Sequence, residues 1–302
     1  MKTTRLAALS VLLCLLHWAS AATGARAPAK PVALVYSLAG RAALTIPFEE
    51  RRPLRLFDRL PAGTTVEVRP GSRLALAFAN GRRYELGGHS RAKLGRSDLT
   101  SRSGPVHPLP AVSPLPTLLP IAPEERAGLR AGAVRIRAER IAGLYPRRGT
   151  ATLAGATTLR FEPVEGAGKY QVEVHDRQGN VVFGTETADS PVNVPAGILQ
   201  PGVRYDWTVR TVERVGPVAR GEADFVTLPA RRAEAREALR RAVERMGDGA
   251  SLALLAEVDR SLGLLIEARD EFRVAVRSSP GDTALAAGLA ELERHLPYLQ
   301  SP

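Results

Sequence analysis

Ser90 stands three residues before Lys93 in GSRLALAFANGRRYELGGHSRAKLG, residues 71–95. Some acyl-transfer enzymes use that spacing to set a lysine beside a nucleophilic serine. The chemistry needs both side chains on one helical face, a turn apart. Here apolar and polar residues alternate as in a strand, where an odd separation sends two side chains to opposite faces. The K-T-G partner motif is absent, because the lysines are Lys2, Lys30, Lys93 and Lys169. GAGK at 166–169 mimics part of a phosphate loop. It lacks the first glycine at the right distance and has Tyr170 where Ser or Thr would meet magnesium. His89, His107, His175 and His295 are scattered without metal-ligand spacing. Neither G-x-S-x-G nor H-E-x-x-H occurs. These patterns point away from an enzyme and imply no cofactor and no metal.

The compartment is written at the start of the chain. Lys2 and Arg5 precede an apolar run from Leu6 to Trp18, followed by the small residues Ala19-Ser20-Ala21. This is the pattern of a cleaved secretory signal over residues 1–21. Cys14, the one cysteine, lies inside it, so the mature chain must be held by its cores and not by disulfides. No later stretch is apolar enough to span a bilayer. The expectation is an exported protein, periplasmic in a Gram-negative bacterium, with no transmembrane segment after cleavage.

The chain of 302 residues has room for two or three domains. Its charge is uneven. Residues 30–150 hold 21 Lys and Arg against 9 Asp and Glu, whereas residues 151–302 hold 18 against 22. Between 99 and 125 lie prolines 105, 108, 110, 114, 116, 120 and 123. They predict a semi-rigid linker, separating a basic β module over 30–98 from a β domain over 126–228 and a helical segment over 229–302.

Within the first module, Asn80-Gly81 marks a hairpin turn. A two-residue loop would scatter the apolar residues over both faces. A three-residue loop over 79–81 pairs Leu76 with Tyr84 and Leu74 with Leu86, and gathers them on one face. With Phe57-Asp58-Arg59-Leu60, Gly63 and a close from Leu86 to Leu94 around Ser90, the stretch resembles a FecR-type domain, an extracytoplasmic all-β module. The resemblance covers residues 32–97. Better-known members are membrane-spanning sigma-factor regulators with a cytoplasmic segment, which this chain lacks.

In the second domain, Leu159 and Phe161, then Tyr170, Val172 and Val174, then Tyr205, Trp207 and Val209 alternate with polar neighbours. DRQGN at 176–180 reads as a hairpin turn between two such runs, and the spacing suggests a β-sandwich. LQPGVRYDWTV is similar to the tyrosine corner of fibronectin type III domains. The resemblance gives Tyr205 the corner role, with Leu199 buried and Pro201-Gly202 turning; Trp207 is expected in the core. From residue 229 the period becomes helical, and Ala235, Leu239, Ala242 and Val243 form one stripe. SLALLAEVDRSLGLLIEARDEFRVAVRSSP looks like one tetratricopeptide repeat, a helix pair of about 34 residues. Its signature falls on Leu252, Leu255, Ala256, Gly263, Ala268, Phe272, Ala275 and Pro280. Helices over 230–246 and 283–296 would cap it.

Together these features suggest a non-catalytic cell-envelope adaptor built of self-contained modules. Its helical end would bind a partner protein. Its basic module, through Arg82, Arg83, Arg91, Lys93 and Arg96, would contact a partner or an anionic envelope polymer such as peptidoglycan or lipopolysaccharide. No nucleic acid is expected. The alternative is a periplasmic sensor or regulatory component of a FecR-type signalling or transport system.

Overall fold

The alternating apolar residues between Pro31 and Leu109 form ten strands: β1 (Pro31–Ala39), β2 (Ala42–Thr45), β3 (Arg52–Pro53), β4 (Arg59–Pro61), β5 (Thr65–Val68), β6 (Arg73–Phe78), β7 (Arg83–Leu86), β8 (Arg91–Leu94), β9 (Leu99–Ser103) and β10 (Val106–Leu109). They make two antiparallel sheets, ordered β10-β7-β6-β1-β4 and β3-β2-β5-β8-β9. Ala33, Val35, Leu74, Leu76, Phe78 and Leu86 of the first sheet meet Leu44, Val66, Ala92 and Leu94 of the second in one buried core. The computed structural model describes residues 30–118, 139–214 and 218–296; the expected signal at 1–21 falls outside them.

The β6–β7 hairpin has the three-residue loop, with Leu76 opposite Tyr84 and Leu74 opposite Leu86. Phe78 N–H donates to Arg82 O at 2.8 Å and closes the loop. Gly81 has φ +86°, the left-handed region that glycine enters without strain.

The proline-rich stretch is no spacer, and the module boundary at 98 falls inside the sandwich. Residues 99–109 supply β9 and β10, one edge strand to each sheet. Prolines are tolerated there because an edge strand does not need every N–H in the ladder; Pro108 pairs with Tyr84 at such a position. Beyond β10 the chain straps the hairpin. Val112 N–H donates to Gly81 O (2.9 Å), Leu115 N–H donates to Ala79 O (3.0 Å), and Val112, Leu115 and Leu118 are buried. Residues 119–125 lie outside the described residues.

The second β domain, described from residue 139, holds β11 (Glu139–Arg140), β12 (Ala151–Thr152), β13 (Thr158–Leu159), β14 (Ala167–His175), β15 (Val181–Thr187), β16 (Val192–Asn193), β17 (Arg204–Arg214) and β18 (Ala219–Thr227). The main sheet runs β11-β18-β17-β14-β15, with β12 also on β18 and β13–β16 a separate pair. Tyr205 makes the corner: its hydroxyl accepts from Gln200 N–H at 2.9 Å, Leu199 is buried, and Gly202 has φ +77°. Trp207 is fully buried and donates through Nε1 to Pro146 O at 2.8 Å. Asp176 accepts from Gln178 N–H and Asn180 N–H, both at 2.9 Å, in the predicted hairpin turn. Of the GAGK segment, expected to be a turn, only Gly166, at φ +74°, lies in the turn; Ala167, Gly168 and Lys169 already belong to β14.

Four helices follow: α1 (Ala230–Met246), α2 (Gly249–Leu262), α3 (Leu265–Ser278) and α4 (Thr283–His295). Asp248 caps α2 by accepting from Ser251 N–H at 2.7 Å, Gly263 ends it at φ +83°, and Asp282 caps α4. Ala256, Ala268, Phe272 and Ala275 are fully buried in the helical core with Leu285 and Leu292, while Leu252 is partly buried and Leu255 buried. Pro280 is exposed in the α3–α4 turn.

The expectation of self-contained modules also fails. Pro31–Pro302 form one compact unit. Leu254, Leu255 and Val258 of α2, and Leu239 and Val243 of α1, share a core with Leu34 and Tyr36 of β1, Ala75 and Ala77 of β6, and Ala151 of β12. The reason is β6. Leu74, Leu76 and Phe78 face the sandwich interior, Ala75 and Ala77 face the other way, and all five are buried. A strand apolar on both sides must be covered on both sides, and helices supply the second cover.

A methyl group added at Gly81 would lie 2.0 Å from Val112 O, whereas none of the chain comes within 4 Å of one at Gly71, also at positive φ. Denaturant titration of both alanine variants separates the two effects. Gly71→Ala should cost about 1 kcal/mol from backbone strain alone, and Gly81→Ala about 2–4 kcal/mol, because the strap must also move. Equal costs would mean that the strap does not hold the hairpin.

Candidate functional site

Ser90 and Lys93 are kept apart. Ser90 is buried and its hydroxyl donates to Pro105 O at 2.7 Å. Ala92 and Leu94 point inward with it, and Arg91 and Lys93 are exposed on the outer face of β8. The serine fastens the 87–90 turn to the proline segment.

The five basic residues expected to form one surface also divide. Arg83 is buried, with 5 % of its surface accessible. Its Nε donates to Pro110 O at 2.8 Å and its Nη1 to Ser251 Oγ at 3.0 Å, and its guanidinium lies 5.8 Å from the Tyr36 ring centroid. It ties β7 to the strap and to α2, and cannot meet an anion outside. The reason is its register: on the hairpin it stands opposite Ala77, on the side of the sheet that the helices cover. Arg82 pairs with Asp98 at 2.8 Å, and Arg91 pairs with Glu67 at 3.2 Å. Lys93 and Arg96 are exposed and make no ion pair among the described residues. Lys93 stands between Thr65 of β5 and Thr100 of β9. Arg102 of β9 is likewise exposed, as are Arg41, Arg69 and Arg73 around the 69–72 turn, where Arg69 N–H donates to Arg41 O.

The helices contain a charged centre that the sequence reading missed. Arg236 of α1, 5 % accessible, donates through Nε to both oxygens of Asp259 at 3.0 and 3.1 Å, and through Nη2 to Glu271 Oε1 at 3.1 Å. Asp259 on α2 has no accessible surface. Glu267 of α3 adds a third carboxyl to the same field. One guanidinium faces three carboxyls, Asp259 buried and Glu267 and Glu271 partly so, and this excess of acid favours their protonated forms. Burial pushes Glu271 up to about 9, with the negative charge of Asp259 adding to it. Burial raises Asp259 and Glu267 as well. A signal was present. Arg236 lies on the stripe of Leu239 and Val243, and Asp259 on that of Leu255 and Leu262, so each charge interrupts an apolar face at helical spacing.

The β1–β4 side is tied to the helices too. Phe57, at φ +66°, packs edge-on against Phe272 with ring centroids 5.7 Å apart. Arg59 bonds Ser261 and lies 3.8 Å from Glu257. Phe57 and Arg59 therefore serve as internal contacts with α2 and α3.

No known protein-family model matches the chain, and no curated protein matches it in sequence. Among solved structures, it is similar to CopC from Methylosinus trichosporium OB3b at 18 % identity and TM-score 0.24, over 30 % of this chain and 94 % of that one. It is similar to the FN1–FN3 domains of chicken CNTN1 at 12 % identity and TM-score 0.24, over 66 % of this chain and 57 % of that one. A β-D-glucuronidase from Dictyoglomus thermophilum aligns at 12 % identity and TM-score 0.20, over 64 % and 43 %. At these scores the likenesses assign no function. The described structure is a mostly β, sandwich-like N-terminal region followed by four helices.

The buried carboxyls carry a pH signature. A group whose folded-state pKa is raised contributes stability that is fully present below the ordinary carboxylate range, near pH 4, and lost as pH climbs through the raised value, here about 9. Thermal unfolding should therefore begin at lower temperature as pH rises from about 5 to about 9. Glu271→Gln cannot ionise and should flatten that decline, raising the midpoint at pH 9 by a few degrees. A variant as pH-sensitive as the parent would place the ionisation elsewhere.

Proposed function

We propose that the protein is a non-catalytic adaptor of the bacterial cell envelope, binding an anionic envelope polymer through the N-terminal sandwich. The observation that carries this reading is the set of exposed cations without ion pairs among the described residues: Lys93, Arg96 and Arg102 along β8 and β9, and Arg41, Arg69 and Arg73 at the 69–72 turn. Such a field draws polyanions over a screening length of about 10 Å at 0.1 M salt. The inward hydrogen bond of Ser90 and the outward Lys93 support a binding role over acyl transfer. Among the described residues, no helix is long and apolar enough to cross a membrane.

The helical segment is the proposed seat of a partner protein. One face of α2 is already spent on the N-terminal sandwich, so the partner would dock on α4 and the outer side of α3, where Val274 is exposed. In a tetratricopeptide array that stacking face would meet the next repeat; here a β-sheet takes its place.

Retention of the full chain on immobilised lipopolysaccharide and on peptidoglycan, at about 50 mM and about 300 mM salt, tests the polymer contact. Retention should fall severalfold with salt and with the double change Lys93→Glu and Arg96→Glu. Binding indifferent to both would remove the polymer reading.

A further inference from the structure

Between the second β domain and the helices lies a cleft of about 60 Å³, lined by Tyr145, Thr152, Thr158 and Arg160 on one side and by Ile266 and Glu267 on the other. A space of this kind holds a few atoms, since one water occupies about 10–15 Å³ on the same measure. Its walls are polar and incompletely satisfied. The Tyr145 hydroxyl and Arg160 Nε are both buried without a hydrogen-bond partner in the protein, and Tyr145 as a whole is 2 % accessible. Buried donors of this sort are normally paired.

The backbone fixes these two side chains together. Tyr145 N–H donates to Arg160 O at 2.9 Å, and Arg160 N–H donates to Tyr145 O at 2.6 Å, so the residues form an antiparallel bridge. Residues opposed across such a bridge carry neighbouring side chains. The Tyr145 ring packs against Leu265, Ile266 and Leu296, which brings its hydroxyl to the start of α3, close to the Leu265 and Ile266 amides. That helix begins after Leu264, which offers no side-chain cap. The start of this 14-residue helix presents partial positive charge, and the Tyr145 hydroxyl lies against it.

The geometry points to a carboxylate-binding site, in which Arg160 and the Tyr145 hydroxyl donate to the two oxygens of one carboxylate at the amide end of α3. A planar monoanion of two oxygens fits both the small volume and the two unpaired donors. Burial pushes the Glu267 carboxyl upward, so it opposes a monoanion weakly. The carboxylate can come from a free small acid or from the end of a peptide chain. The site is separate from the basic surface of the N-terminal sandwich, and its failure would leave that reading untouched.

Acetate is the probe, titrated into the full chain at neutral pH against chloride of equal ionic strength, with acetamide as the uncharged isostere. The readouts are the unfolding midpoint and the amide resonances of Arg160, Ile266 and Glu267. Saturating acetate should shift those amides and raise the midpoint, and acetamide should do neither. Tyr145→Phe keeps the ring and should weaken acetate binding about tenfold, since one hydrogen bond to a charged group is lost; Arg160→Gln should abolish it. Shifts of equal size with acetamide, or undiminished in the folded Tyr145→Phe and Arg160→Gln proteins, would overturn the proposal, as would no shift at all. A tripeptide with a free C-terminus, compared with its amide, identifies the source. Binding tighter than acetate, and lost on amidation, marks a chain end as the ligand; binding no tighter marks a small acid.

Discussion

The architecture depends on the two-sided burial of β6. Its run of Leu74, Ala75, Leu76, Ala77 and Phe78 has no polar side to give to water. Facing the second sheet satisfies only three of the five. The remaining alanines, with Leu34 and Tyr36 of β1, form an apolar floor that has to be roofed, and removing such a floor from water is worth about 25 cal/mol per Å². Leu254, Leu255 and Val258 of α2 provide the roof. The small side chains of the floor let the helix come close, which fixes where the rest of the helical region sits.

Charge then orients what apolar burial brings together. Arg83 enters the junction from the sheet side and finds a carbonyl, a hydroxyl and an aromatic face, with no carboxylate bonded to it. Arg236 enters the helical core and meets more acids than it can neutralise. The first arrangement is satisfied by neutral acceptors. The second holds its balance only by retaining protons, since buried charge without full compensation is unfavourable. One arginine is therefore held by neutral groups and the other by acids, although both are buried.

Local patterns were legible in the sequence where a short stretch decides the outcome. The hairpin register followed from Asn80-Gly81 and four apolar residues, and the corner at Tyr205 and the turn at Asp176 followed from their own few neighbours. What was not legible is what covers what. Proline at 105, 108 and 110 reads as a spacer because its ladder cost is visible, while the edge position that removes the cost is not. Arg83 reads as a surface cation because its neighbours Arg82 and Glu85 are polar. Only the pairing with Ala77, and the helix lying over that pair, buries it. Yet LALAF, apolar at five successive positions, already excluded a half-wet strand, and Arg236 and Asp259 each broke an apolar stripe.

The strap over residues 110–118 and the distant roof bear on how the molecule comes into being. A nascent chain emerging from its N-terminus has β1 and β6 long before it has α2, and Arg83 waits 168 positions for Ser251. Until the last quarter of the polypeptide is made, one side of that sheet stays wet and prone to adhere to whatever is nearby. Contacts so remote along the chain also close slowly. The junction between sheet and helices can therefore be completed only once α2 has been made.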